Sequence, residues 1–309
     1  MDRFESPSLD KKKNELSQIP PTPCLKKIGY GTGVHVYHWD RSTFEGLKCS
    51  PWALKKVYKQ TMRANTAVPE RMEEEASILK KLSHPNIVGF RGYRKSDGGR
   101  SVLAMEECGT SLGDLIEERR ENEFGRFDAD RICKVIISVS KALHYLHTEQ
   151  RIIHGDIKSF NVLIKGDFEE IKLCDFGVSY PIDENGKVKS YVGTLCWSAP
   201  EVLNDGAITE KADIFAFGLT IWEMLTLQLP YNGDEAESDY SNITDSSFNT
   251  SALESSTDSV YGTRPPLPQD LPEEYDIVKE IFNWCTEMDY LKRPSAKDIL
   301  TRLQVFTTS

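Results

Sequence analysis

The sequence predicts an α+β protein in two parts, a small β-rich part carrying one helix and a larger, mainly helical part. Three observations point there. Apolar residues alternate with period two in several short runs before Leu103. The spacing turns helical after Glu106-Glu107-Cys108-Gly109. A late segment that opens at Asp213 is apolar nearly all round, as a helix at the centre of a core must be.

The elements follow in order. Residues 1–22 carry Ser, Pro and the run Lys11-Lys12-Lys13, and read as a disordered tail. Residues 23–106 form the β-rich part. Val34, Val36 and Tyr37 suit one strand, Trp52 to Val57 a second, and Ser101 to Met105 a third. Pro69 can open a helix that runs to about Leu82, where Ser83-His84-Pro85-Asn86 breaks it. Residues 107–309 form the helical part. Ile132 to Leu146 has helical spacing, and the central helix runs from Asp213 to about Leu227. Segment 231–262 holds seven Asp or Glu and no Lys or Arg, with few large apolar residues, and reads as a disordered acidic insertion.

Composition excludes several classes of function. The net charge of −10 gives nucleic acid and anionic membranes no electrostatic footing. The longest apolar stretch, Ile214 to Trp222, is too short to span a bilayer, and the polar start Met1-Asp2-Arg3-Phe4-Glu5 is no secretion signal. The seven cysteines (24, 49, 108, 133, 174, 196, 285) form no CxxC pair, so they read as buried thiols of a reducing compartment, cytoplasmic or nuclear.

The chemistry is concentrated in His154-Gly155-Asp156-Ile157-Lys158-Ser159-Phe160-Asn161 and in Asp175-Phe176-Gly177. Phosphoryl transfer from a nucleotide needs an acceptor for the substrate hydroxyl proton, which Asp156 supplies. It also needs oxygen ligands for magnesium, which Asn161 and Asp175 supply. Lys158 can stabilise charge on the transferring group, and its presence favours serine and threonine acceptors. Gly29-Tyr30-Gly31-Thr32-Gly33-Val34-His35-Val36 is a glycine-rich turn between strands, open to phosphates. Strand-like residues follow it, against a dinucleotide-binding βαβ unit.

Lys55 ends the alternating run Trp52-Ala53-Leu54-Lys55, and Lys56 falls on the opposite face. Stepping about 100° per residue along 70–82 groups Met72, Ala76, Ile78, Leu79 and Leu82. Glu75 falls within that apolar face and needs a partner there, while Glu73 and Glu74 fall outside it. Thr194 is expected near Asp156 and Lys158. Arg293 is expected to pair with Glu201 of Ala199-Pro200-Glu201, and Asp213 to open the central helix, accept backbone amides and support the catalytic loop.

Together these motifs resemble the eukaryotic protein kinase family from about Cys24 to Leu303. The strings at 154–159, 31–34, 211–220 and 262–266 are similar to mitotic serine/threonine kinases related to the MAP-kinase kinases. The resemblance implies the bilobal protein kinase fold, with ATP and Mg2+ bound between lobes and Glu106 to Gly109 as hinge. It implies nucleotide contacts from Ile28, Gly29, Gly31, Gly33, Val36, Ala53, Lys55, Glu75, Met105, Glu106, Cys108, Leu163 and Asp175. It implies catalysis by Asp156, Lys158 and Asn161 on protein substrates with Ser or Thr acceptors, with dual specificity open. Gly155 stands where many such enzymes carry the arginine that grips a phosphorylated activation loop. Ser6-Pro7 and Thr22-Pro23 are candidate targets of an upstream proline-directed mitotic kinase. PDZ binding is not expected, because the sequence ends Phe306-Thr307-Thr308-Ser309 without a final apolar residue. The alternative reading is a pseudokinase, or an acidic scaffold acting as a nucleotide-binding interaction module.

Overall fold

The structure is a computed structural model, and it describes residues 25–31, 33–41, 49–57, 67–95, 101–231 and 260–307. The tail at 1–22 with its lysines and Ser-Pro and Thr-Pro dipeptides, Cys24, nearly all of the acidic insertion and the final Thr308-Ser309 lie outside the described residues. The chain divides into two compact units. The first comprises the described residues up to Ser83 together with Val88–Glu107, and the second His84–Ile87 with Cys108 onward.

In the first unit, β1 (Lys26–Gly31), β2 (Val34–Trp39), β3 (Trp52–Val57), β4 (Phe90–Lys95) and β5 (Ser101–Glu106) form an antiparallel sheet in the order β1-β2-β3-β5-β4. Gly31 pairs with Val34, so only two residues turn the first hairpin, and Gly33 adopts φ +74. A two-residue hairpin demands positive φ, which glycine takes without strain. That is the physical reason the third glycine sits early. One helix, α1 (Ala67–Leu79), accompanies the sheet. It starts two residues before the expected Pro69 and ends three before Leu82. Lys81 and Leu82 continue in tighter i→i−3 bonds.

Strand alternation divides the sheet residues. Trp52 and Leu54 of β3 share a face with Ala104 of β5, and Leu25, Tyr37, Trp39 and Val102 pack against them. Trp39 meets Trp52 edge-on at 5.6 Å. The other face of β3 carries Ala53, Lys55 and Val57, all buried.

The second unit is mainly helical: α2 (Leu112–Glu121), α3 (Ala129–His144), the short α4 (Pro200–Leu203), α5 (Lys211–Thr226), α6 (Asp276–Cys285) and α7 (Ala296–Thr307). A capping box starts α2, with Ser111 and Asp114 each bonding the other's backbone amide. Asp128 caps α3, which starts three residues ahead of the expected Ile132. Two small sheets carry the loops that matter below. β7 (Ile152–Ile153) pairs with β10 (Tyr180–Pro181), and β8 (Val162–Lys165) lies between β6 (Thr110–Ser111) and β9 (Glu170–Leu173).

Every residue of α5 from Ala212 to Leu225 is buried, as its all-round apolar pattern requires. It packs tightly on the end of α6 at Gly218, where a Cβ would lie 2.6 Å from Thr286 Cγ2 and 3.0 Å from Cys285 Cβ. Gly218→Val is therefore expected to cost about 1–3 kcal/mol by overpacking. Urea denaturation should show a lower midpoint with unchanged slope.

Candidate functional site

In the first unit, two neighbouring strands and one helix assemble a buried ion pair. Lys55 stands on β3 opposite Val36 of β2 and Leu103 of β5. Its Nζ lies 2.8 Å from Glu75 Oε2 and 3.1 Å from Oε1. Lys55 is 7% exposed and Glu75 2%, so neither is a solvated surface charge. Glu73 and Glu74 are exposed, and Glu73 takes a surface partner, Lys95. Lys56 points the other way, over the ring of Tyr37. Among the remaining candidates here, Ala53 and Met105 are buried and Ile28 is exposed. Gly29, Gly33, Val36 and Glu106 are half-buried. Ile28 falls at an irregularity in the β1–β2 register.

In the second unit, the catalytic loop is anchored from below. α3 runs past the expected Leu146 as a π-helical segment, Tyr145–Gln150, that ends at Arg151 with φ +54. A widened turn of this kind re-aims side chains. Here the segment carries His147, whose Nε2 lies 2.8 Å from Asp213 Oδ2. Asp213 is fully buried and also accepts the amides of His154 (2.8 Å) and Gly155 (2.9 Å). α5 begins two residues before the expected start at Asp213, and its N-cap position is Glu210, without a side-chain cap. Asp213 therefore does not cap its own helix. Its acceptor capacity is turned outward to the loop. Burial raises its carboxyl pKa, but the His147 hydrogen bond and charge, His154 and the Gly155 amide outweigh burial and hold it below the ordinary carboxylate range.

His154 continues the chain of contacts. Its Nδ1 takes the Asp156 amide at 3.3 Å, and its Nε2 lies 3.0 Å from the Cys174 carbonyl, just before Asp175. Its ring packs on Phe176. Asp156, thus placed, has both carboxylate oxygens engaged. Oδ1 accepts the Thr194 amide (3.0 Å) and hydroxyl (2.7 Å), and Oδ2 accepts Asn161 Nδ2 (3.0 Å) and Lys158 Nζ (2.9 Å). Lys158 in turn donates to Thr194 Oγ1 at 2.7 Å. Burial pushes the Asp156 carboxyl up, yet Lys158 and the Thr194 hydroxyl keep its pKa below the usual range, so it is ionised at neutral pH.

Asn161 also donates through Nδ2 to the Asp156 carbonyl at 2.7 Å, which leaves its amide oxygen as the atom it can offer a metal. That oxygen and the Asp175 carboxylate are hard donors of the kind magnesium takes. Asp175 sits at φ +62 and accepts the Gly177 amide through Oδ1 at 3.3 Å. Of the other candidates in this unit, Cys108 is buried and Leu163 half-buried.

The Glu201–Arg293 pair is bidentate, at 2.7 and 2.8 Å, with Arg293 2% exposed and stacked over Phe215. Two residues escaped the sequence reading. His147 had no signal beyond its type. Glu223 did have one. It is a carboxylate inside a helix otherwise apolar all round, the same argument that singled out Glu75. Among the thiols, Cys108, Cys196 and Cys285 are buried, while Cys49, Cys133 and Cys174 are half-buried, contrary to the expectation of burial throughout. No helix among the described residues is long and apolar enough to cross a membrane.

This arrangement of loop aspartate, lysine, asparagine and following DFG agrees with what sequence comparison finds. The model of the protein kinase domain matches residues 24–303. The chain belongs to the protein kinase family. It is 45% identical to human lymphokine-activated killer T-cell-originated protein kinase, over 97% of both chains. It is 32% identical to a probable serine/threonine-protein kinase of Dictyostelium discoideum, over 97% of this chain and 25% of that one. Human serine/threonine-protein kinase Nek10 is 28% identical over 94% of this chain and 24% of its own length. Membership of the family implies use of ATP with a divalent metal.

Asp213→Asn replaces one acceptor oxygen with a donor that faces N–H groups. It is expected to destabilise the kinase domain by about 3–5 kcal/mol, as when one partner of a buried charged network is removed. The pH dependence has a definite sign. Because the folded pKa is depressed, the carboxylate stabilises the fold above its unfolded pKa, and that stability is lost as pH falls through the folded value. Stability curves of wild type and Asp213→Asn measured from neutral pH downward should converge only as pH falls through the folded value, below the ordinary carboxylate range.

Proposed function

We propose that the chain is an active, magnesium-dependent serine/threonine protein kinase that transfers the γ-phosphate of ATP to protein hydroxyls. The observation that carries the proposal is the state of Asp156, an ionised carboxylate backed by Lys158 and already receiving a hydroxyl, that of Thr194, at 2.7 Å. An acceptor serine or threonine can approach a carboxylate in the same way and give up its proton as the phosphoryl group arrives. Lys158 lies where it can offset charge on the transferring group. The Glu75 partner fixes the Lys55 ammonium, the group that would hold the α- and β-phosphates. Asn161 and Asp175 would hold magnesium, whose charge neutralises the phosphates. A pseudokinase has no chemical need of all five of Lys55, Glu75, Asp156, Asn161 and Asp175, nor of the strained φ at Asp175.

Gly155 bears on regulation. It adopts φ +83, and a Cβ there would lie 2.7 Å from the Val178 carbonyl. Arginine at this position would need a different backbone, so control through an arginine that grips a phosphorylated loop is not part of the proposal. Upstream control by a proline-directed mitotic kinase at Ser6 or Thr22, a role in mitotic or MAP-kinase-type signalling, and a cytoplasmic or nuclear site of action complete the reading. They are supported by the dipeptides and local strings of the sequence.

The first measurement is transfer of labelled phosphate from ATP with magnesium to a basic protein. Asp156→Asn is expected to keep ATP binding, seen as a thermal shift, and to lose roughly 10²-fold or more in turnover. Lys55→Met should lose activity by misplacing the phosphates, and should also destabilise the fold by removing the cation that buried Glu75 faces. Near-normal turnover in either variant would overturn the assignment.

A further inference from the structure

α5 buries a second carboxylate further along from Asp213. Glu223 is 1% exposed. Its Oε1 lies 2.7 Å from Ser159 Oγ and its Oε2 accepts Trp197 Nε1 at 2.8 Å. Ser159 directly follows Lys158 in the catalytic loop. Trp197 closes the turn that begins at Thr194, its amide bonding the Thr194 carbonyl at 3.0 Å. One side chain of the core helix therefore ties together the two segments that meet again where Thr194 contacts Asp156 and Lys158.

We propose that Glu223 is a positioning residue of phosphoryl transfer: it holds the turn 194–197 and the catalytic loop in the register that places Thr194 on Asp156 and Lys158. It does so as a neutral hydrogen-bonding group, which glutamine can replace. The inference rests on the kinase reading above.

Burial without a hydrogen-bonded cation argues for neutrality. The partners Ser159 and Trp197 carry no charge, unlike the lysine beside Glu75 and the arginine beside Glu201. The titratable groups that face Glu223 are Lys158 from the catalytic loop and Cys196 from the turn. Lys158 is committed to Asp156 and Thr194, and the Cys196 thiol is itself pushed up to about 11 by burial. Burial pushes the Glu223 carboxyl up to about 8, against the donors from Ser159 and Trp197 and the charge of Lys158. A carboxylic acid can turn the first of these bonds round, giving its O–H to Ser159 Oγ, and accepts from Trp197 through its carbonyl oxygen. A glutamine amide can do the same with its N–H and its oxygen.

The test uses the full chain and compares wild type with Glu223→Gln, Glu223→Leu, Ser159→Ala, Trp197→Phe and the double variant of the last two. Steady-state transfer to a basic protein should show Glu223→Leu losing about 10-fold or more in kcat with KM for ATP within about twofold, the signature of lost transition-state positioning. Glu223→Gln should stay within about threefold of wild type. The double variant should fall as far as Glu223→Leu, and this arm holds should the leucine variant fail to fold. Hydrogen exchange at 154–161 and 194–198 should rise in Glu223→Leu and not in Glu223→Gln, a readout that stands even if wild type transfers no phosphate. Silence of wild type would sink the kinase reading alone. A folded Glu223→Leu with wild-type kcat and exchange would overturn the positioning role, and glutamine behaving as badly as leucine would overturn the neutral carboxyl.

Discussion

Burial of carboxylates on a helix that has no solvent-facing side is the constraint on which the second unit depends. A carboxyl taken into a core without partners costs several kcal/mol, so α5 can carry Asp213 and Glu223 only if other segments come to them. Asp213 draws in the amides of His154 and Gly155 and the His147 ring. Glu223 draws in Ser159 and Trp197. The catalytic loop and the turn after Thr194 are irregular backbone, with little regular secondary structure to fix them. Their geometry is fixed because buried oxygen atoms on a rigid helix leave them one satisfactory arrangement.

The buried acids divide by partner, and the division matches what each does. Glu75 and Glu201 face a lysine and an arginine, and both pairs brace structure. Asp213 faces N–H donors and an imidazole, and its pKa is held down. Glu223 is hydrogen-bonded by the uncharged Ser159 and Trp197, and burial drives its pKa up. Asp156 differs from all four. It sits at 13% side-chain exposure, and its opposing influences resolve in favour of the anion because a lysine stands 2.9 Å away. A carboxylate that must take a proton from an incoming hydroxyl has to be both ionised and reachable, and Asp156 is the member of the set that meets both conditions.

Much of this was legible in the sequence, for reasons that can be given residue by residue. Period two placed β3 and β5, and the 3.6 period turned Glu75 rather than Glu73 or Glu74 inward, because burying an acid needs an apolar face and a partner. The Glu201–Arg293 pair followed from the planar fork of arginine. What was not legible depended on contacts far apart in sequence. The π segment that aims His147 leaves no periodic trace, since one widened turn shifts phase by less than the noise of the pattern. Asp213 supports the loop through the 154–155 amides, as the sequence reading expects; what the sequence does not show is that it lies two residues past the helix start rather than at the cap. The apolar run shows only from Ile132, because Asp130 and Arg131 separate it from the helix start at Ala129.

Gly155 brings the same reasoning to the activation segment. With φ +83 and the Val178 carbonyl against its open side, the loop admits no side chain at this position. Without a cation there, the segment must be held by what it carries itself. Tyr180 and Pro181 pair with Ile153 and Ile152, and the Ser179 hydroxyl bonds the His154 carbonyl at 2.8 Å. Ile182 and Val188 pack with Ile153, joined by Tyr191 and Ile208. These are contacts of strand and core. A segment ordered by apolar burial stays ordered in any phosphorylation state that leaves those residues covered. The order of this segment therefore rests on strand pairing and apolar burial rather than on a cation at position 155.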